Sequence, residues 1–78
     1  MAISNLPSAN AAAHIKAFER LGWTVKRRKG SHVVMCKPGV RAALTIPDHG
    51  KEVSRTLIGR LIAAAGCTEE QYLKAFKK

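Results

Sequence analysis

A chain of 78 residues has room for one small domain and no second core, and burial alone leaves a domain of this size only marginally stable. Fourteen Lys and Arg against five Asp and Glu give a formal charge of +9, which points to a polyanionic or acidic partner. No apolar run approaches the roughly 20 residues that span a bilayer, and Cys36 and Cys67 form no CxxC pair of the zinc-binding kind.

Residues 1–7 read as a short lead-in ending at Pro7. Ser8 is the expected N-cap of a first helix over 9–21, because its hydroxyl can accept from the free amides of the first turn. Ala11, Ile15 and Phe18 recur there at helical spacing, Leu21 lies beside them, and Gly22 stops the helix. His14 falls beside that apolar stripe and reads as a surface residue. Three strand-like runs follow, 23–27, 31–37 and 40–46. Gly30 marks the first junction, Pro38-Gly39 makes a two-residue turn, and Pro47 closes the third run because it has no N–H to donate. After the loop 48–53, Ser54 is a second candidate cap. Leu57, Ile58, Leu61, Ile62 and Ala65 form the stripe of a helix ending at Gly66. Thr68-Glu69-Glu70-Gln71 is a capping box, opening a short helix that buries Tyr72, Leu73 and Phe76.

The order α-β-β-β-α-α predicts one α+β domain over 1–78. A three-stranded antiparallel sheet carries the helices on one face and leaves the other wet. A two-residue turn at Lys29-Gly30 would mix apolar and polar side chains on both faces. A three-residue loop, 28–30, with Gly30 in a bulge, sorts them. Trp23, Val25, Val33, Met35, Val40, Ala42, Leu44 and Ile46 then lie under the helices. Thr24, Lys26, His32, Val34, Cys36, Arg41, Ala43 and Thr45 take the open face, so Lys26, Arg41 and Thr45 are the expected neighbours of His32.

Gly30-Ser31-His32 therefore sets an imidazole on a wet face, directly after the basic run Lys26-Arg27-Arg28-Lys29. Imidazole moves protons near neutral pH, while Lys and Arg hold phosphate. Metal-dependent nucleases gather carboxylates around Mg²⁺. Here Glu19, Asp48, Glu52, Glu69 and Glu70 are scattered over helix ends and loops, so neither a metal nor a cofactor is expected. What remains is metal-free cleavage of RNA, which carries its own nucleophile in the 2′-hydroxyl. His32 is the candidate base or matching acid. Lys26, Arg28, Lys29 and Arg41 are candidates for the phosphates, and Ser31 for a further hydrogen bond. His49 is the second acid–base candidate if its loop folds back over the sheet, and otherwise satisfies loop backbone. Three other readings compete: a structural histidine at a strand start, a non-catalytic module binding structured RNA through the same basic face, and a DNA-binding regulator. The last is disfavoured by the short third helix with its acidic start.

A family likeness adds to these readings. Gly22-Trp23, the run from Val25 through Gly30-Ser31-His32 to Met35, Leu44-Thr45-Ile46-Pro47-Asp48-His49, and Ser54-Arg55-Thr56-Leu57 leading into Ile62 and Ala65-Gly66 together resemble the HicA toxins of bacterial toxin–antitoxin systems. The likeness covers about residues 15–76. It implies a fold similar to double-stranded-RNA-binding domains and an mRNA-cleaving toxin whose catalytic histidine maps onto His32. It also implies a HicB-type antitoxin that binds and blocks the site. The lead-in before the first helix and the apolar Val33 depart from the family pattern, and neither touches His32. With one cysteine pair and no signal-peptide pattern, the expectation is a soluble cytoplasmic protein with reduced thiols.

Overall fold

A computed structural model describes residues 6–77; residues 1–5 of the expected lead-in lie outside the described residues. The elements are α1 (Ala11–Arg20), β1 (Thr24–Lys29), β2 (His32–Cys36), β3 (Leu44–Pro47), α2 (Arg55–Ala65) and α3 (Glu69–Phe76). The strands form one antiparallel sheet in the order β1-β2-β3. This is the expected α+β arrangement in the expected order.

The register is set by the inner face. Val33 pairs with Ile46 and Met35 with Leu44, and all four side chains are at most 1 % exposed. Each contributes about 1.5–3 kcal/mol on burial, so a one-residue slip that turned all four to solvent would undo the sheet. The same demand explains where β3 begins. Lys37, Pro38, Gly39 and Val40 form a turn closed by the Val40 N–H donating to the Lys37 carbonyl at 3.1 Å, with φ +82° at Gly39. Pro at its second position and a left-handed Gly at its third fit a type II turn. A hairpin continued from this turn would set Ala42 against Met35. The observed ladder is slid by two residues, which keeps every side chain on its face but brings Leu44 there instead. The expected strand over 40–46 is corrected accordingly: Arg41–Ala43 lie exposed outside the ladder, and β3 runs Leu44–Pro47.

The β1–β2 junction also differs from expectation. Lys29 pairs with His32 across a two-residue turn, Gly30-Ser31, not across a loop over 28–30. Gly30 takes φ +58°, which its missing Cβ allows. From the turn, Arg28 pairs with Val33 and Arg27 with Val34, and the ladder then shifts between Val25 and Arg27. Lys26 is the extra residue. Without that bulge Lys26 would oppose the buried Met35; with it, Val25 does.

The start of α1 is a further correction. Asn10, not Ser8, is the N-cap, accepting from the Ala13 N–H at 3.1 Å. Residues just before it are held extended against the segment leading into α2: the Val53 N–H donates to the Ala9 carbonyl at 3.0 Å, and Asn10 bridges Glu52. The Ser8 hydroxyl accepts from Arg55 instead, at 2.7 Å. Leu6 packs into the core at 2 % exposure and so anchors the residues that precede α1. At the other end Ser54 caps α2, Gly66 closes it with a left-handed φ, and Thr68 and Gln71 form both bonds of the capping box on α3.

His14 is fully buried, which overturns its reading as a surface residue. α1 packs on the sheet with one flank and on α3 with another, so its buried arc is wider than a single stripe. Its ring nitrogen Nδ1 hydrogen-bonds the Tyr72 hydroxyl, and the ring stacks on Tyr72 and tilts against Phe76. Arg20 reinforces the same contact by donating to the Ala75 carbonyl at 2.9 Å. Burial lowers the His14 pKa to about 4, with the Ala9 carbonyl offsetting a little of the effect. The neutral ring is therefore the form that folds. Stability holds above the unfolded value near 6.5 and falls as pH drops toward 4, by on the order of 3 kcal/mol. Urea denaturation at pH 7 and pH 4 measures this. The double variant H14F/Y72F, which removes both polar partners, is expected within about 1 kcal/mol of the parent at pH 7 and to lose that share of the acid sensitivity.

Candidate active site on the open sheet face

The face turned away from the helices is built from three cross-strand rows. Thr24 and Cys36 form the first, and Arg27, Val34 and Thr45 the second. Lys29, His32 and Pro47 form the third. His32 stands in the middle strand of the last row, exposed, with Lys29 directly across on one side and Pro47 on the other. Among the described residues its ring makes no side-chain hydrogen bond.

The loop after β3 is tied to this end of the sheet at two points. The Asp48 N–H donates to the Ser31 carbonyl at 2.5 Å, and the Asp48 carboxylate pairs with Arg28 at 3.3 Å. His49, the next residue, is exposed and lies two positions past Pro47, the cross-strand partner of His32. The fold thus brings Lys29, Ser31, His32 and the loop bearing His49 to one end of the sheet.

The other sequence-derived candidates are distributed differently. Arg28 pairs with Val33, a helix-facing position, and its guanidinium is taken by Asp48. Lys26 is the bulge residue, and Arg41 is exposed in the irregular stretch before β3. Neither stands in the cross-strand row of His32, which corrects their expected place beside it; Thr45 is on the open face as expected, one row away. Arg27 was not singled out from the sequence. It reaches the open face because the two-residue turn moves the pairing of β1 by one position, and the Gly-Ser dipeptide at a hairpin tip is the signal that could have found it.

No carboxylate belongs to the open-face rows, and Asp48, the acid tied to this end, is paired. Among the described residues no three His, Cys, Asp or Glu side chains gather as metal ligands. Two hollows lie beside α3, lined by residues such as Arg20, Gln71 and Lys74. A basic sheet face with an exposed imidazole suits a polyanion lying across it.

The model of one protein family, described as the HicA toxin of bacterial toxin–antitoxin, matches residues 12–67. The match takes in nearly all of α1, the whole sheet and α2, and stops just before α3. A search of curated proteins returns no match.

The turn that seats His32 is strained by any side chain at Gly30, although a Cβ there would meet no atom within 4 Å. G30A is expected to cost about 1–2 kcal/mol, entirely through the backbone. D48N removes only an exposed ion pair and is expected to change stability by less than about 1 kcal/mol. Urea unfolding midpoints compare the two.

Proposed function

Because the chain belongs to the HicA toxin family, we propose that it is the toxin of a toxin–antitoxin pair and acts as a metal-independent endoribonuclease on mRNA, with His32 as its catalytic residue. The observation that carries this reading is the exposed imidazole, without a side-chain hydrogen bond among the described residues, in the same cross-strand row as Lys29 on sheet rows that hold no carboxylate.

In the proposed reaction a base takes the proton of a ribose 2′-hydroxyl, and the 2′-oxygen attacks the adjacent phosphorus. The 5′-oxygen of the next nucleotide leaves and takes a proton from an acid. The products are a 2′,3′-cyclic phosphate and a 5′-hydroxyl, and no water enters this step. His32 serves one of these proton transfers and His49, on the tied loop, is the candidate for the other. Lys29 and Arg27 hold the phosphates nearest the scissile bond and stabilise its developing charge. Ser31 offers a hydroxyl donor at the turn. Lys26 and Arg41 extend the basic track, and Arg28 contributes less because Asp48 already neutralises it. The antitoxin, of the HicB type, neutralises the toxin by covering this face. The setting is the cytoplasm, where mRNA is found.

Purified protein incubated with mRNA and excess chelator tests the reading. The wild-type chain is expected to cleave, leaving cyclic phosphate ends, and H32A to lose about 10²–10⁴ in rate while still binding RNA. Cleavage undiminished in H32A overturns the role of His32. RNA binding without cleavage by the wild-type chain makes it a binding module instead. In the same assay K29A and R27A are each expected to lower the salt dependence of binding by about one counterion, and R28A by less.

A further inference from the structure

The two outer edges of the sheet differ in how they are guarded. β1 is bulged at Lys26 and carries four consecutive cations, Lys26 to Lys29. A bulge and charged side chains are the usual devices that stop an edge from pairing with another chain. β3 has neither, and only Pro47 at its end interrupts it.

The ladder shows what the β3 edge offers. Lys29 and His32 flank a two-residue turn, so the backbone N–H and C=O of His32 point to β1 and those of Val33 and Met35 point to β3. The Ser31 carbonyl, which accepts from Asp48, follows the same alternation. Ile46 and Leu44 therefore answer β2. Both backbone groups of Thr45, exposed in the middle of β3, point away from the sheet. Arg41–Ala43, just before β3, are exposed and outside the ladder.

From this geometry we propose that the free edge of β3 receives an extended segment of an acidic protein partner as a fourth antiparallel or parallel strand, hydrogen-bonded to Thr45. A second copy of this chain is the poorer occupant, since each carries +9. Nucleic acid has no alternating backbone amides and carbonyls to pair with an edge. An acidic segment matches both the hydrogen bonds and the charge: residues 37–47 hold Lys37 and Arg41 and no acid, and of the acids just beyond the strand Asp48 is paired with Arg28 while Glu52 is offset by its neighbour Lys51. A strand added there lies about 10 Å from β2. Every second side chain of it stands on the open face, so its carboxylates occupy ground that RNA phosphates would use. The inference rests on the toxin–antitoxin reading only for naming the antitoxin as the protein that supplies this segment.

The test uses the full chain and, as probe, an eight-residue peptide alternating Glu and Val. Amide hydrogen exchange is followed by NMR. Saturating peptide is expected to slow exchange of the Thr45 N–H by about tenfold or more, an effect that needs no variant. T45P removes the outward donor and leaves the β2 ladder intact; it is expected to weaken peptide binding by about tenfold, while T45V stays within about twofold. The proposal is overturned if the peptide shifts Lys29 and His32 but leaves Thr45 exchange unchanged. It is equally overturned if a Lys–Val peptide protects Thr45 as well, or if self-association protects it without peptide. RNA cleavage by the same preparation reads the His32 assignment separately: loss of one result leaves the other standing.

Discussion

Val33 and Met35 on β2 meet Ile46 and Leu44 on β3 beneath the helices, and most of the molecule follows from keeping those four side chains out of water. The demand slides β3 two residues past the register its own turn would give. It also draws a bulge into β1 so that Val25, not Lys26, faces Met35. Because side chains alternate across a strand, fixing the inner set fixes the outer one. His32 stands on the open face for that reason, one position before Val33.

The same constraint decides how charge is deployed. With five acids in the chain, few are free to neutralise fourteen cations. Asp48 is spent on Arg28, the one member of the basic run whose ladder partner faces the helices. Arg27 and Lys29 are left on the open face without a carboxylate in their rows. An exposed ion pair of this kind adds little to stability. Its consequence is geometric: together with the Asp48 amide on the Ser31 carbonyl, it ties the loop bearing His49 to the turn that carries His32.

α3 completes the core from outside the stretch that matches the family. Tyr72 is fully buried against Phe18 and His14, and Arg20 on α1 binds the last carbonyls of α3. A sheet of three short strands with two helices offers few large side chains to bury, and the Tyr72–Phe18 contact supplies two of the largest. Burial at that depth favours the neutral imidazole of His14, because a charged ring there is only partly compensated.

Local chemistry made much of this legible in the sequence. The helix and strand order, the Ser54 cap, the Gly66 stop, the Thr68–Gln71 capping box and the buried set Trp23, Val33, Met35, Leu44 and Ile46 each depend on a few neighbouring residues and a period, and the structure has all of them. His32 on the open face was legible from its alternation with Val33 and Met35, although the loop over 28–30 chosen with that register is not the one formed. Register and burial between distant segments were decided by the tertiary structure. Two-residue slides and single bulges leave local preferences unchanged, so only packing against Met35 selects between them. Thus Arg27 took the place expected for Lys26, and Arg41 fell outside the ladder. Asn10 replaced Ser8 as cap because residues 9 and 10 pair with a segment more than 40 positions away, and His14 went inside because α3 folds back over α1.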